Sequence, residues 1–237
     1  MNTHTPKRPY SHTTLLIGYA WHKMNKGRLV PLLVLVVGAA IVWTLYSFNK
    51  GNHTYEEYLV TNVAALLWLP LMLILIAMRQ EPSGFGFTLG DMKFGFRLVG
   101  LLFAVLLPLL VIAARMPDFQ SYYPIQKQAA KDLHYFAYFE LTYGMYLFCW
   151  EFFFRGFLLF GLFRMFGVWS VFMQAAAFGI MHIGKPAPEV AASFGAGVLL
   201  GFLALRAKSF VPGFALHWAA AVTFDVLIIM GKRGMLF

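Results

Sequence analysis

The sequence predicts an all-α fold, a polytopic integral membrane helix bundle with about seven transmembrane spans (six to eight). Of its 237 residues, 60% are hydrophobic and 12% are charged, whereas a soluble domain carries about 25% charged residues. The mean hydropathy is +0.67. The apolar residues form long runs of the length that a helix needs to cross a hydrocarbon core of about 30 Å. This composition leaves no room for a soluble domain of useful size.

The chain divides into two parts. Residues 1–28 contain five Lys and Arg residues and are predicted to form a cytoplasmic basic arm with a short interfacial helix at 15–21. Residues 29–237 are predicted to form a single transmembrane domain. Its spans are expected at 29–46, 58–78 with a kink at Pro70, 98–114, 134–163, 168–182, 190–205 and 210–230.

The distribution of positive charge predicts the orientation. If the N-terminus is inside, the basic arm and the inner ends of the spans together carry eleven Lys and Arg residues, and the outer side carries seven. Positive residues are more frequent on the cytoplasmic side, so the sequence favours a cytoplasmic N-terminus and an external C-terminus. The formal net charge of +9 is better explained by loops that face anionic membrane lipids than by nucleic acid, which is not expected as a partner.

Two ions lie inside one of the most hydrophobic stretches, at 148–163. Glu151 and Arg155 are four residues apart, so they lie on one face of a helix. A charged side chain in the membrane centre costs at least about 2.5–3.5 kcal/mol. The pair therefore either neutralises itself structurally or marks a functional site.

Other ionisable residues are predicted within spans. His182 and His217 lie on two further spans, and a carboxylate with two imidazoles in a wet cavity can activate water. Glu140 lies eleven residues before Glu151, about 16 Å along a helix, so it is expected to bond a neighbouring helix instead. On the sixth span, small residues recur every four positions and predict close helix packing: Ser193, Gly197 and Gly201.

Several chemistries lack the residues they need. No His-Glu-x-x-His motif of zinc proteases is present, and no Gly-x-Ser-Gly nucleophile lies on a span. Glu151, His182 and His217 could together hold a zinc ion, which the sequence neither requires nor excludes; no other cofactor is expected. The lone Cys149 permits no internal disulfide and is expected to be a small buried apolar residue.

Three short motifs, in order and on separate spans, resemble the CPBP (Abi) family of CAAX prenyl proteases and bacteriocin-processing intramembrane proteases. That family shows Glu-Glu-x-x-x-Arg, Phe-x-x-x-His and His-x-x-x-Asn or Asp. The corresponding residues here are Trp150-Glu151-x-x-x-Arg155, Phe178-x-x-x-His182 and His217-x-x-x-Ala221. The resemblance covers about residues 135–230.

The resemblance implies an α-helical intramembrane endopeptidase. It implies that Glu151 and His182 activate water and that His217 stabilises the oxyanion, with Arg155 and Phe178 in support. Family substrates include prenylated proteins, bacteriocin precursors and membrane-protein partners. The expected partners are therefore membrane lipids and a membrane-protein or lipidated peptide substrate, and the expected location is the bacterial cytoplasmic (inner) membrane.

Two positions depart from the family pattern. Trp150 stands where the family has its first glutamate, and Ala221 offers no side-chain donor on the oxyanion side. Glu151 can replace its missing neighbour only if the helix is rotated or locally irregular, which Gly156 would permit. Other carboxylates that could serve the site are Glu189 and Asp225.

Two alternatives stay open at the level of sequence. A family member that has lost catalysis would act as a membrane scaffold or immunity protein, which Trp150 and Ala221 favour. The same buried ionisable groups could also serve a proton-coupled carrier, although no internal repeat of the kind common in transporters is visible.

Overall fold

The computed structural model describes residues 12–236, with side chains from residue 29 onwards. Seven main helices follow one another along the described chain. They are α1 His12–Phe48, α2 Tyr55–Ala77, α3 Met92–Ala114, α4 Leu133–Phe166, α5 Trp169–Ile180, α6 Ala187–Ala207 and α7 Val211–Lys232. The predicted all-α membrane bundle is confirmed, because six of these helices are long and apolar enough to span a membrane.

The fifth predicted span, 168–182, is only partly realised. Helix α5 has 12 residues and is about 18 Å long, which is too short to cross a hydrocarbon core of about 30 Å. The turn that follows it carries His182 and leads to α6. The bundle therefore has six full-length spans and one short apolar helix in its described part.

The prediction of a separate interfacial helix at 15–21 is wrong. Helix α1 is continuous from His12 to Phe48, with Pro31 inside it, so the backbone of residues 12–28 extends the first span. A single helix saves the terminal hydrogen bonds that a break would leave unsatisfied. Residues 1–11 of the predicted basic arm lie outside the described residues.

Polar residues define where helices begin in the loops. Thr54 and Glu57 form a capping box at the start of α2, Asp91 accepts a hydrogen bond from the Phe94 amide at α3, and Asp132 accepts one from the Tyr135 amide at α4. These side chains satisfy amides that the first turn of a helix leaves free.

Helix α4 is the centre of the bundle. In its most apolar 18-residue window 83% of the residues are buried, compared with none in the corresponding window of α3. Helices α1 and α2 pack against α4 on one side and α7 packs on the other, while α3 packs along α7 and α5 packs along α6. The residues of α4 are therefore the ones most removed from lipid.

The loops collect at two ends of the bundle. At one end, which we call the cavity end, Lys232 Nζ donates to the Tyr123 carbonyl at 2.8 Å and Arg233 donates to the Ala130 carbonyl at 2.8 Å. At the opposite end, Arg164 donates to Gln80 at 2.6 Å. These contacts agree with the predicted division for the loops that they join.

Helices α5 and α6 approach closely through the predicted small-residue face. A Cβ added at Gly197 would lie 2.9 Å from the Cα and Cβ of Ala175, and one at Gly201 would lie 2.8 Å from Gln174. Ser193 on the same face is also buried. The four-residue repeat is thus confirmed as a packing face.

We predict that Gly197→Ala lowers the melting temperature of the detergent-solubilised protein, because the clash is with backbone that cannot rotate away. Gly195→Ala on the same helix is the matched control, since nothing lies within 4 Å of its added Cβ. Equal melting temperatures of the two variants would contradict the close α5–α6 contact.

Candidate active site

The site begins at an irregular point of α4. The helix is α-helical up to Glu151 and π-helical over Phe152–Leu158, and π-helical turns inside α-helices are frequent at functional sites. Gly156 lies within this segment, where an added Cβ would meet the Phe152 ring at 2.7 Å and the Phe85 carbonyl oxygen at 2.8 Å. A local irregularity of the kind that Gly156 would permit is therefore present, immediately after Glu151.

Glu151 and Arg155 form a fully buried ion pair. Arg155 Nη1 donates to Glu151 Oε1 at 3.0 Å, and both side chains are 0% exposed. The Arg155 guanidinium also lies 3.9 Å from the centre of the Phe178 ring, a favourable cation–π distance. The first and second sequence motifs are thus joined directly by the arginine and the phenylalanine.

The third motif reaches the same carboxylate. His217 Nδ1 lies 2.8 Å from Glu151 Oε1. Because a carboxylate only accepts, Nδ1 carries the proton of this hydrogen bond. Gly213, one turn earlier on α7, makes the approach possible, since a Cβ there would lie 3.2 Å from Glu151 Oε2. The carboxylate thereby fixes the orientation and tautomer of the imidazole.

His182 is held in an equivalent way by a backbone group. Its Nδ1 lies 2.8 Å from the Phe178 carbonyl oxygen, so Nδ1 donates and Nε2 retains a lone pair. The His182 ring is 4.5 Å from the ring of Phe178 and 5.9 Å from that of Trp150. Both histidines therefore use Nδ1 for anchoring and leave Nε2 as the chemically available nitrogen.

The two imidazoles line one cavity of about 410 Å³ at the cavity end. Trp150 lies in its wall together with Tyr58 and Tyr146. Glu151 does not line the cavity. The carboxylate is in contact with His217, which does line the cavity.

Asp225 and Glu140 lie apart from this cluster. Both are buried, at 4% and 5% exposure, and they lie close to each other on α7 and α4, but neither Glu140 oxygen has a hydrogen-bond partner among the described residues. Neither bonds His182, His217 or Arg155. Glu140 faces Asp225 of the neighbouring helix α7, but the expected hydrogen bond from its side chain is not formed, and Asp225 is not positioned to serve the candidate site.

Glu189 forms an ion pair with the Lys185 side chain at the cavity end. Lys185 Nζ donates to Glu189 Oε1 at 2.8 Å, and the Tyr123 hydroxyl lies 2.8 Å from both Glu189 oxygens. Burial raises the pKa of the Tyr123 hydroxyl, so it stays protonated and donates to the carboxylate. Lys185 lines the cavity but Glu189 does not, so Glu189 positions Lys185.

The described residues offer no group of three or more His, Cys, Asp or Glu side chains arranged to hold a metal ion. Glu151 Oε1 is already engaged by Arg155 and His217. The three residues considered for zinc are therefore not brought together as a ligand set. The Nε2 atoms of His182 and His217 are nitrogen ligands that the cavity could still offer, and His53 lines the same cavity.

Sequence reasoning missed several residues of the site. Tyr58 and Tyr146 line the cavity as a hydrogen-bonded pair, Tyr123 completes the Lys185–Glu189 contact, and Gly213 makes room for the carboxylate. Of these, only Gly213 had a signal in the sequence, because it lies one turn before His217 on the same helix face. The tyrosine contacts join distant parts of the chain.

The fold defines a polytopic helical membrane protein with a histidine-lined cavity between its helices. The profile of the family described as type II CAAX prenyl endopeptidase Rce1-like matches residues 134–223. This segment holds all three motifs, and the match confirms the resemblance to the CAAX prenyl protease family. No curated protein and no solved structure matches the chain significantly.

We predict that Glu151→Met strongly destabilises the protein, because it leaves the Arg155 charge buried without its partner, at a cost of about 3–5 kcal/mol. The double variant Glu151→Met/Arg155→Met is expected to recover much of this loss. Thermal unfolding of the wild type and both variants in the same detergent measures the loss of stability and its recovery.

The matched control is Glu189→Met. Its partner Lys185 has the same four-residue spacing, but the two side chains are 20% and 22% exposed, so water can solvate the remaining charge. Burial of the unpaired charge would not explain the destabilisation if the double variant were no more stable than Glu151→Met. The same holds if Glu189→Met lost as much thermal stability as Glu151→Met.

Proposed function

We propose that the protein is an intramembrane endopeptidase of the CAAX-protease type that uses His217 as its general base. The observation that carries the proposal is the 2.8 Å contact between His217 Nδ1 and Glu151 Oε1. This contact leaves Nε2 of the partly exposed His217 ring available to the cavity, which His182 also lines. The substrate is a peptide bond of a membrane-embedded or lipidated protein.

The geometry favours a division of roles that differs from the one implied by the resemblance. Glu151 is fully buried and bonded to Arg155, so it acts as a positioning residue that stabilises the imidazolium formed during the reaction. His217 takes the part of the carboxylate-oriented base familiar from hydrolases. His182 presents a second Nε2 acceptor and orients the attacking water.

The reaction follows from this arrangement. A water molecule gives one proton to His217 Nε2 while its oxygen bonds to the carbonyl carbon of the substrate. The tetrahedral intermediate then collapses, the carbon–nitrogen bond breaks, and His217 returns the proton to the leaving amine. Trp150 occupies the family's first glutamate position and gives this part of the wall an apolar surface that limits bulk water.

The orientation of the cavity is part of the proposal. The cavity end of the bundle carries seven Lys and Arg residues, and the opposite end with the N-terminal segment carries eleven. The positive-inside rule then places the N-terminus in the cytoplasm and the cavity on the outer face. In a bacterial inner membrane, substrates would enter from the external side or from the lipid.

A second candidate is a binding protein of the same family without catalysis. The observations that favour it are that Trp150 removes a glutamate from the cavity wall and that Glu151 does not line the cavity. In this case the cavity would hold a membrane-protein or lipidated peptide without cleaving it. The two candidates differ in whether His217 is needed for the appearance of new protein termini.

We predict that new protein termini in cells that express the wild-type protein disappear in His217→Ala, because the general base is lost. Mass spectrometry of protein termini is the measurement. His182→Ala is expected to reduce the same termini strongly, and Glu151→Gln is expected to reduce them because His217 loses its charged partner.

His134→Ala is the matched control, since this histidine at the start of α4 is fully exposed and distant from the cavity. Cells that express His134→Ala should contain the same new protein termini as cells that express the wild-type protein. Termini that persist in His217→Ala, with normal protein levels, would exclude the proposed base. An absence of new termini in the wild type would favour the binding candidate.

A further inference from the structure

Hydrolysis at this cavity requires a donor for the oxyanion, and the motif histidines are not placed to provide one. Both rings use the Nδ1 proton for anchoring, at Phe178 and Glu151, and Nε2 of each neutral ring is an acceptor. Ala221 has no polar side chain. A stable oxyanion needs preorganised donors that are already directed at it, so another group of the cavity wall must supply one.

A pair of tyrosines in the same wall has a free donor. The Tyr58 hydroxyl donates to the Tyr146 hydroxyl at 2.9 Å, and the two rings lie 5.5 Å apart. Tyr146 therefore accepts this bond and keeps its own proton. Among the described residues none accepts that proton, and Tyr146 is only 4% exposed.

We propose that Tyr146, polarised by Tyr58, is an oxyanion donor of this enzyme. The inference rests on the proposed endopeptidase function and adds a catalytic residue to it. A hydroxyl that accepts one hydrogen bond becomes a stronger donor in the next, because bonds in a chain polarise one another. The cost of leaving a buried donor unpaired is removed when an anion forms beside it.

The position of Tyr146 fits this role. It lies one helical turn before Trp150 on α4, with ring centres 5.4 Å apart, and Trp150 in turn contacts the His182 ring at 5.9 Å. Tyr58 belongs to α2, so the donor is held by two helices. Tyr146, Tyr58, Trp150 and both imidazoles therefore line the same cavity.

Tyr146 keeps its proton throughout the attack of water on the substrate carbonyl. The proton of the attacking water goes to His217 Nε2, the new carbon–oxygen bond places a negative charge on the former carbonyl oxygen, and Tyr146 donates a hydrogen bond to that oxygen. When the carbon–nitrogen bond breaks, the carbonyl reforms and the hydrogen bond weakens. Tyr146 therefore stabilises the transition state more than the bound substrate.

We predict that Tyr146→Phe lowers kcat by about 10²–10³-fold with little change in KM, the size expected for one lost oxyanion donor. Tyr58→Phe should lower kcat less, because Tyr146 retains its proton but loses its polarising partner. The pH profile of kcat should keep its shape in both variants, since His217 remains the base.

The assay uses the full-length protein in proteoliposomes and a peptide that spans the cleavage site found by the comparison of protein termini. Tyr138→Phe is the matched control, because this tyrosine lies on the same helix but outside the cavity and is exposed. Melting temperatures of all variants check that the fold is kept.

The outcomes separate this proposal from the function on which it rests. If kcat is unchanged in Tyr146→Phe while cleavage still requires His217, Tyr146 is not an oxyanion donor. The proposed endopeptidase function is unaffected by that result. A rise in KM alone overturns it as well and assigns Tyr146 to substrate binding. No cleavage by the wild-type protein overturns the proposed function itself.

Discussion

The buried contact among Glu151, Arg155 and His217 is the interaction on which the rest of the site depends. Two full charges at 0% exposure are tolerated inside a membrane protein only when they neutralise each other and are hydrogen-bonded. The pair on α4 is neutralised through the 3.0 Å bond to Glu151 Oε1, which also binds α7 through the imidazole, whereas Arg155 Nε and Nη2 and Glu151 Oε2 have no hydrogen-bond partner among the described residues. One interaction thus stabilises α4 and positions the candidate base.

This requirement explains the surrounding architecture. The carboxylate must be shielded from lipid and water, and α4 provides that because the other helices enclose it. Gly213 brings α7 close to the carboxylate, while Phe178 covers the guanidinium and anchors His182 through its carbonyl group. The cavity then receives two imidazoles of defined tautomer without direct access to the buried ions.

Much of this could be predicted from the sequence because it depends on short-range spacing. The Glu151–Arg155 contact follows from the four-residue spacing, and the packing role of Gly197 follows from its repeat with other small residues. The sequence also shows that Gly156 would permit a helical irregularity. What could not be predicted was that it begins after Glu151, so the carboxylate remains behind the cavity wall.

The long-range contacts needed the structure. The spacing of residues on α4 and α7 does not define how these helices cross, and the crossing decides that His217 binds Glu151. The same holds for Glu189, whose pairing with Lys185 and Tyr123 depends on a loop far away in sequence. The 2.8 Å contact of His217 with the carboxylate is the observation from which we propose roles that differ from those the motifs imply.

The most direct test of the account is the protonation state of His217. Nitrogen NMR of the histidine-labelled protein in lipid nanodiscs, with the signal assigned by its loss in His217→Ala, reports each ring nitrogen separately. We expect the neutral ring to carry its proton on Nδ1, bonded to Glu151, and to keep Nε2 bare. A bare Nδ1 with a protonated Nε2 would contradict it, because Glu151 would then not hold the ring and no base would face the cavity.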